Sequence, residues 1–184
     1  MTNDRLFITE SDTDICEGYL RHMKRCGTFP KRSSMLTVAF GQKGRRRICN
    51  AIGYMKPIRE ADSLEHLPET VEGRYNLVAI YYAVEHLDED EISQMIQYVR
   101  GLLIPGGSVM VVVDLQGGED VLASLKDECR EQGLREVQTD LWRSEPLNTW
   151  DRLSDAGKCL SPLAQRIPWL GRYMARTAST LWVV

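Results

Sequence analysis

One stretch of 41 residues, from Tyr75 to Leu115, constrains the fold of this chain more than any other part. It begins with an apolar, β-branched and aromatic run at residues 75–82. An acidic step follows, and then apolar residues recur at helical spacing (Ile92, Met95, Ile96, Val99 and Leu103). A Pro-Gly-Gly turn then leads into a second apolar run at 108–113. Strand, helix, turn and strand in this order predict a parallel βαβ unit, with both faces of its second strand buried.

The same stretch resembles a known family. Residues 76–78 (Asn-Leu-Val), 84–87 (Val-Glu-His-Leu) and 103–107 (Leu-Ile-Pro-Gly-Gly) are similar to the signature of class I S-adenosylmethionine (SAM) dependent methyltransferases. In that family they mark the fourth strand, the helix after it and the fifth strand. The resemblance implies a Rossmann-like α/β fold, SAM as cofactor and a small-molecule methyl acceptor. It is specific for the fold and less so for the activity.

The rest of the chain alternates strands and helices. Further strands are expected at residues 6–8, 34–40, 58–61, 134–142 and 178–184, and helices at 15–26, 45–55 and 121–132. The pattern predicts one domain over residues 1–184: a doubly wound, seven-stranded, mostly parallel sheet with helices on both faces. The family's strand order, 3-2-1-4-5-7-6, places residues 75–82 at its centre. It also puts residues 6–8 first and 34–40 second.

Composition excludes several classes of protein. The 184 residues carry a net charge of −3, which does not favour nucleic acid as a partner. No apolar run approaches the ~20 residues of a membrane helix, and the N-terminus has no signal-peptide pattern. The five cysteines are widely spaced and fit reduced thiols in a cytoplasmic protein. The three histidines have no ligand-like spacing, so no metal is expected.

With residues 6–8 as the first strand, the family's glycine-rich cofactor loop falls on residues 9–14. This stretch contains no glycine, and Asp12 and Asp14 bring negative charge. Glu10 occupies the family's acidic position. A self-capped helix start is the favoured interpretation here over a working SAM loop.

Two further loops concern the cofactor. After residues 34–40 the family places an acid for the ribose hydroxyls, where this chain has Gln42. Asp62 and Ser63 match the family's adenine-contacting position, and an aspartate that caps a turn is an equally common explanation. These differences predict weak SAM binding or none.

The end of the fourth strand carries the catalytic candidates, Glu85 and His86, because ligands of open α/β sheets bind at that edge. His86 suits a general base, although it fits equally well as a residue that packs beside Leu87 and helps to cap the helix beginning at Asp88, with Glu91 completing a capping box. Tyr82 and Asp114 are candidates for acceptor binding. Residues 143–175 are rich in apolar and aromatic side chains and predict a lid or partner surface, with a satellite core as the alternative.

Two functions follow. The first is a small-molecule methyltransferase with an atypical cofactor loop. The second is a non-catalytic methyltransferase-like protein that serves as a partner subunit, in a homo- or hetero-oligomer, or binds another ligand. The glycine-free loop, the absent ribose acid and Asn76 in place of the family's aspartate favour the second.

Overall fold

The computed structural model describes residues 35–38, 59–61, 73–115, 119–142 and 177–184. Six strands lie in this part of the chain: β1 (Met35–Val38), β2 (Arg59–Ala61), β3 (Tyr75–Tyr81), β4 (Leu103–Asp114), β5 (Arg135–Trp142) and β6 (Thr177–Val183). Two α-helices accompany them, α1 (Glu89–Leu102) and α2 (Glu119–Glu131), together with a short 3-10 helix, Val84–His86. Three predicted elements lie outside the described residues: the strand at 6–8 and the helices at 15–26 and 45–55.

The strands form one mixed sheet in the order β2-β1-β3-β4-β6-β5. β2, β1, β3 and β4 are parallel, whereas β6 runs antiparallel to both β4 and β5. The prediction that residues 75–82 lie inside the sheet and parallel to the next strand is confirmed. In β3 every residue except the half-buried Asn76 is buried, and in β4 so are Ser108–Val113, as expected of strands covered on both faces.

The strand order corrects one prediction. In the predicted order a strand formed by residues 6–8 separates residues 34–40 from residues 75–82. In the structure, β1 pairs directly with β3 over four residues, from Met35 opposite Leu77 to Val38 opposite Ile80. β2 then pairs with β1 on the other side. The six strands therefore match the family positions 2-1-4-5-7-6, and β1 takes the place of the first strand rather than the second.

The helix α1 forms where the sequence predicts it, except that Leu103, the last predicted member of its apolar face, is the first residue of β4. Asp88 is its N-cap, and its side chain accepts a hydrogen bond from the Glu91 backbone N–H at 2.9 Å. The Glu91 side chain accepts one from the Asp88 N–H at 2.9 Å, which completes a capping box. Its buried face packs against β3 and β4, and its members recur at helical spacing: Ile92, Met95, Ile96, Val99 and Leu102. α2 lies beside α1 and contacts β5.

The Pro-Gly-Gly segment ends α1 but does not interrupt the sheet. β4 starts at Leu103, and its pairing with β3 shifts register between Leu103 and Ser108. Gly106 has a φ of +74°, a conformation that suits glycine. The strand is therefore longer than the predicted run at 108–113, because the turn residues form a bulge within the ladder.

Candidate functional site

The carboxyl ends of the parallel strands meet at one edge of the sheet. Val38 of β1 is opposite Ile80 of β3, and Tyr81 of β3 is opposite Val112 of β4. The chain leaves these strands at neighbouring points, within one or two residues of those pairs. In open α/β sheets this edge is where ligands bind, so the residues after β3 and at the end of β4 form the candidate site.

Tyr82 comes directly after β3 and has an unusual backbone. Its φ is +49°, which is a strained conformation for a bulky residue and costs roughly 1–3 kcal/mol. Its N–H donates to the Val112 carbonyl at 2.9 Å, and its side chain is buried with 6% of its surface exposed. The ladder and the packing together hold the strained turn in place. The structure thus puts this predicted acceptor-binding residue at the ligand edge.

Glu85 and Asp114 are brought together at this edge. One carboxyl oxygen of Glu85, Oε1, accepts a hydrogen bond from the backbone N–H of Asp114, the last residue of β4. The other oxygen, Oε2, is inaccessible to solvent and has no hydrogen-bond partner. The sequence predicts both residues at this edge, but it does not predict the bond between them.

The pKa of Glu85 is raised from 4.5 to about 7. Burial is the largest cause, because it disfavours the charged form, and the nearby charge of Asp114 acts in the same direction. Hydrogen bonds from backbone N–H groups, with that of Asp114 foremost, oppose the rise without cancelling it. A carboxyl group with such a pKa exchanges its proton near neutrality, as a general acid or base does.

His86 ends the 3-10 helix Val84–His86 and is exposed. The cap of α1 is made by Asp88 and Glu91, and His86 takes no part in it. Its role as a general base remains a prediction. The structure gives it access to solvent at the ligand edge.

The predicted cofactor residues Glu10, Asp12, Gln42, Asp62 and Ser63 lie outside the described residues, as does the predicted lid at 143–175. Within the ranges described, no group of three or more His, Cys, Asp or Glu side chains has the arrangement of a metal site. No helix in those ranges is long and apolar enough to cross a membrane.

Sequence reasoning missed the position of β1. The signal was present, since the buried run Met35–Val38 is followed within three residues by Gly41. A short apolar run at residues 6–8 gave a competing candidate for the first strand, and runs of this length are ambiguous by pattern alone.

Comparisons with known proteins bear on the fold. No family model matches the sequence, and no curated protein matches it. Solved structures do match. A SAM-dependent methyltransferase from Archaeoglobus fulgidus superimposes with a TM-score of 0.58 at 11% identity, covering 94% of each chain. The N-methyltransferase NodS from Bradyrhizobium japonicum WM9, in complex with S-adenosylhomocysteine (SAH), gives 0.53 at 12% identity, covering 99% of this chain and 93% of that one.

The chain has a class I methyltransferase fold. A third structure agrees: phosphoethanolamine N-methyltransferase 2 from Haemonchus contortus, in complex with SAM, with a TM-score of 0.58 at 9% identity. That match covers 92% of this chain but only 37% of the other, which is therefore much longer. At these identities the likeness establishes the methyltransferase fold alone.

Proposed function

We propose that this chain binds SAM at the carboxyl edge of β1, β3 and β4 and acts as a small-molecule methyltransferase. The observation that carries the proposal is the direct parallel pairing of β1 with β3. This pairing supports the assignment of Met35–Val38 to the first-strand position of the methyltransferase fold. The loop that corresponds to the family's cofactor loop is then the one after Val38, and not residues 9–14.

The segment after β1 retains part of the family's cofactor motif. Aligned with E/D-x-G-x-G-x-G, it reads Thr37-Val38-Ala39-Phe40-Gly41-Gln42-Lys43, so the middle glycine is present as Gly41. Thr37, which is buried, stands in the place of the acid. The negative charges of Asp12 and Asp14 are no longer an argument against SAM binding, because they do not follow the first-strand position.

An acidic residue also follows the strand that takes the second position once the strands are reassigned. β2 pairs with β1, so it matches the family's second strand, and Asp62 follows its last residue, Ala61, directly. In this family the acid after the second strand accepts the ribose hydroxyls. We therefore assign Asp62 to the ribose, with Ser63 beside it, instead of to the adenine. Gln42 then belongs to the first loop, so it no longer stands at the position of the ribose-binding acid.

With these assignments, the expected affinity for SAM is higher than the sequence alone suggested. It is still lower than in a chain that carries the family's complete motif. A neutral Thr37 forgoes one charged hydrogen bond, which is worth about 1.5–3 kcal/mol. That corresponds to a loss of roughly 10- to 100-fold in affinity. We expect SAM and SAH to bind more weakly than to a chain with an acid at this position.

The two candidate loops make separate predictions for calorimetry with SAM and SAH. Gly41→Val adds a branched side chain where the motif brings backbone close to the ligand, and it should abolish binding. Asp12→Ala is the matched control, because it removes a carboxylate from the stretch that the sequence alone would have chosen. It should leave the dissociation constant within about threefold. If Asp12→Ala changes binding and Gly41→Val does not, the assignment is wrong.

Methyl transfer is then tested by mass spectrometry with a panel of acceptors. The panel begins with amines, since two of the similar structures are N-methyltransferases by name. Glu85, His86, Tyr82 and Asp114 are the residues of this chain at the edge where such an acceptor would bind. His86, which is exposed, is the proposed proton acceptor, and Tyr82 and Asp114 are the proposed contacts of the methyl acceptor. Glu85 has one carboxyl oxygen bonded to the Asp114 N–H and the other buried, so it is not proposed to touch the methyl acceptor.

A non-catalytic partner subunit is the second candidate. Thr37 and Asn76 both stand where the family has an acid, and this observation favours a chain that has lost SAM. This function predicts no heat of binding for either SAM or SAH. It also predicts that the purified chain associates with a second polypeptide, which light scattering coupled to size exclusion would detect as a larger complex.

A further inference from the structure

The turn after β3 and the end of β4 are joined by a backbone hydrogen bond, from the Tyr82 N–H to the Val112 carbonyl at 2.9 Å, and by one side chain. Glu85 lies in the 3-10 helix Val84–His86, and its Oε1 accepts the backbone N–H of Asp114, 29 residues further along the chain. Val84 at the start of the same turn is fully buried, and this 3-10 helix packs against β4. The turn is entered through the strained backbone of Tyr82. The Glu85 bond thus adds a side-chain link between the last residue of β4 and a turn that is already constrained.

The surroundings of this carboxyl are poor in compensating charge. Its second oxygen is buried without a partner, and Asp114, the charged group acting on it, is also acidic. The other titratable groups nearby in the chain, His86 and Asp88, are exposed. The neighbours of Asp114 on β6 are Thr177 and Ala178, which are uncharged. Among the described residues, no cation is placed to stabilise an ionised Glu85.

We propose that Glu85 is a positioning residue that ties the turn after β3 to the end of β4, and that its protonation sets the pH range over which this edge is held. The effect of the tether on SAM or SAH binding rests on the proposed function. The hydrogen bond itself and its dependence on pH do not rest on the proposed function, because they involve atoms of this chain alone.

The direction of the pH effect follows from the two states of the carboxyl. In the unfolded chain it titrates near 4.5, and in the folded protein its pKa is about 7. Between these values the folded protein holds a proton that the unfolded chain has lost, so the stabilisation is complete below about 4.5 and is lost as the pH rises through about 7. Glutamine at this position mimics the protonated carboxyl, because its amide oxygen still accepts the Asp114 N–H.

Thermal unfolding of the wild-type protein and of Glu85→Gln, measured from about pH 5 to about pH 9, tests the linkage. The two proteins should melt together at the acidic end. At the alkaline end the variant should melt higher by roughly 5 °C, since it never buries a charge. Asp114→Asn is the matched control, because it keeps the backbone N–H but removes the neighbouring charge that helps to raise the pKa of Glu85. The gap between Asp114→Asn and the double variant Asp114→Asn/Glu85→Gln should therefore level off at a lower pH, and at a smaller value, than the gap between the wild type and Glu85→Gln.

Parallel curves for the wild type and Glu85→Gln would overturn the proposal. If the variant does not fold, a ¹³C NMR titration of the wild-type carboxyl groups decides instead. A carboxyl that titrates near 7, and whose midpoint falls in Asp114→Asn, supports the tether, and the absence of any such carboxyl overturns it.

The ligand arm uses SAH as the probe. Glu85→Ala breaks the tether, and the dissociation constant for SAH should rise about tenfold, whereas Glu85→Gln should stay within about threefold of the wild type. Equal affinities for all three proteins would overturn the positioning role. If the wild-type protein binds no SAH, the proposed function fails while the pH linkage still stands or falls on the melting curves.

Discussion

A Cβ atom on Gly107 would lie 2.9 Å from the carbonyl oxygen of Ile104 and 3.1 Å from that of Tyr75. Both neighbours are backbone atoms of the sheet, so neither can move away cheaply. Gly107 also offers its own carbonyl to the Val184 N–H at 3.0 Å. The residue therefore sits where β3, the bulge of β4 and the end of β6 meet, and glycine is needed there for lack of space.

We expect Gly107→Ala to destabilise the protein by roughly 1–3 kcal/mol, the usual cost of overpacking a filled site. The matched control is Gly101→Ala. Gly101 lies within α1, is exposed and would have nothing within 4 Å of an added Cβ. This control should stabilise the protein by about 0.5–1 kcal/mol, because alanine favours the helix. Equilibrium unfolding in urea measures both, and changes of the same sign would contradict the packing described here.

The cap of α1 gives a second prediction. Asp88→Ala removes the acceptor of the Glu91 N–H and should lower the free energy of unfolding by about 1 kcal/mol. Asp90→Ala is the control, since Asp90 is exposed in the first turn and takes no part in the capping box. Its loss should be limited to a few tenths of a kcal/mol from the helix dipole. Denaturant titrations of the two variants side by side would show the difference, and equal losses would mean that charge matters here and the cap does not.

The part of the fold that the sequence predicts well is the part where several local signals agree. Around α1 the capping box, the helical spacing of apolar residues and the Pro-Gly-Gly stop all indicate the same boundaries, which are observed from Glu89 to Leu102. The order of the N-terminal strands is different in kind. It depends on which strand pairs with β3, and the local pattern of two short apolar runs, with Gly41 after β1 as the one hint, does not decide that pairing.

The edge strand β5 shows a second limit. Its pairing with β6 shifts register between Glu136 and Gln138, and Val137 is left 41% exposed instead of facing the core. Alternation fails beyond such a bulge, because one extra residue turns every later side chain to the other face. Beyond the bulge Asp140 is buried, with 7% of its surface exposed, and Thr139 and Leu141 on either side of it are half-buried.

In the candidate site, too, some features can be predicted from the sequence and others cannot. The sequence places Glu85 and Asp114 at one edge, because both follow parallel strands. The bond between them and the raised pKa of Glu85 depend on the burial of the Glu85 side chain and on its distance from Asp114 in the folded chain. These are consequences of packing, and the order of residues does not contain them.

Because β1 is fully buried, a substitution in this short strand should lower the stability of the protein strongly. Leu36 is fully buried and lies opposite Val78, in the middle of the sheet. Leu36→Ala should cost about 2–5 kcal/mol through lost burial and the cavity left behind. Val137→Ala, at the exposed bulge of β5, is the control and should change stability by no more than about 0.5 kcal/mol. Thermal unfolding of both variants is the measurement. A mild effect at Leu36 would mean that β1 is not part of the packed core.

The last prediction concerns an ion-pair cluster between α2 and β5. Glu136 accepts hydrogen bonds from Lys126 at 2.8 Å and from Thr139 at 2.6 Å, and Arg130 lies 3.3 Å away. Burial pushes the pKa of Glu136 up, but these hydrogen bonds and the two positive charges outweigh it, and the pKa lies below its ordinary value of 4.5. The stabilisation is therefore present above about pH 4.5 and is lost as the pH falls through the lower, folded-state pKa.

Lys126→Met tests this linkage while keeping the apolar stem of the side chain. Near neutral pH the variant should lose about 0.2–1 kcal/mol, the range of partly exposed ion pairs. The difference from the wild type should shrink as the solution is acidified below the ordinary pKa of 4.5, because a protonated Glu136 no longer attracts the ammonium group. Arg135→Met is the matched control. Arg135 lies on β5, next to Glu136, is exposed and has no ion pair among the described residues. Its effect should be small and should not follow the titration of Glu136. Urea unfolding of the three proteins at several pH values measures the differences, and a Lys126→Met loss that stays constant with pH would show that the packing of the stem, not the charge, supplies the stabilisation.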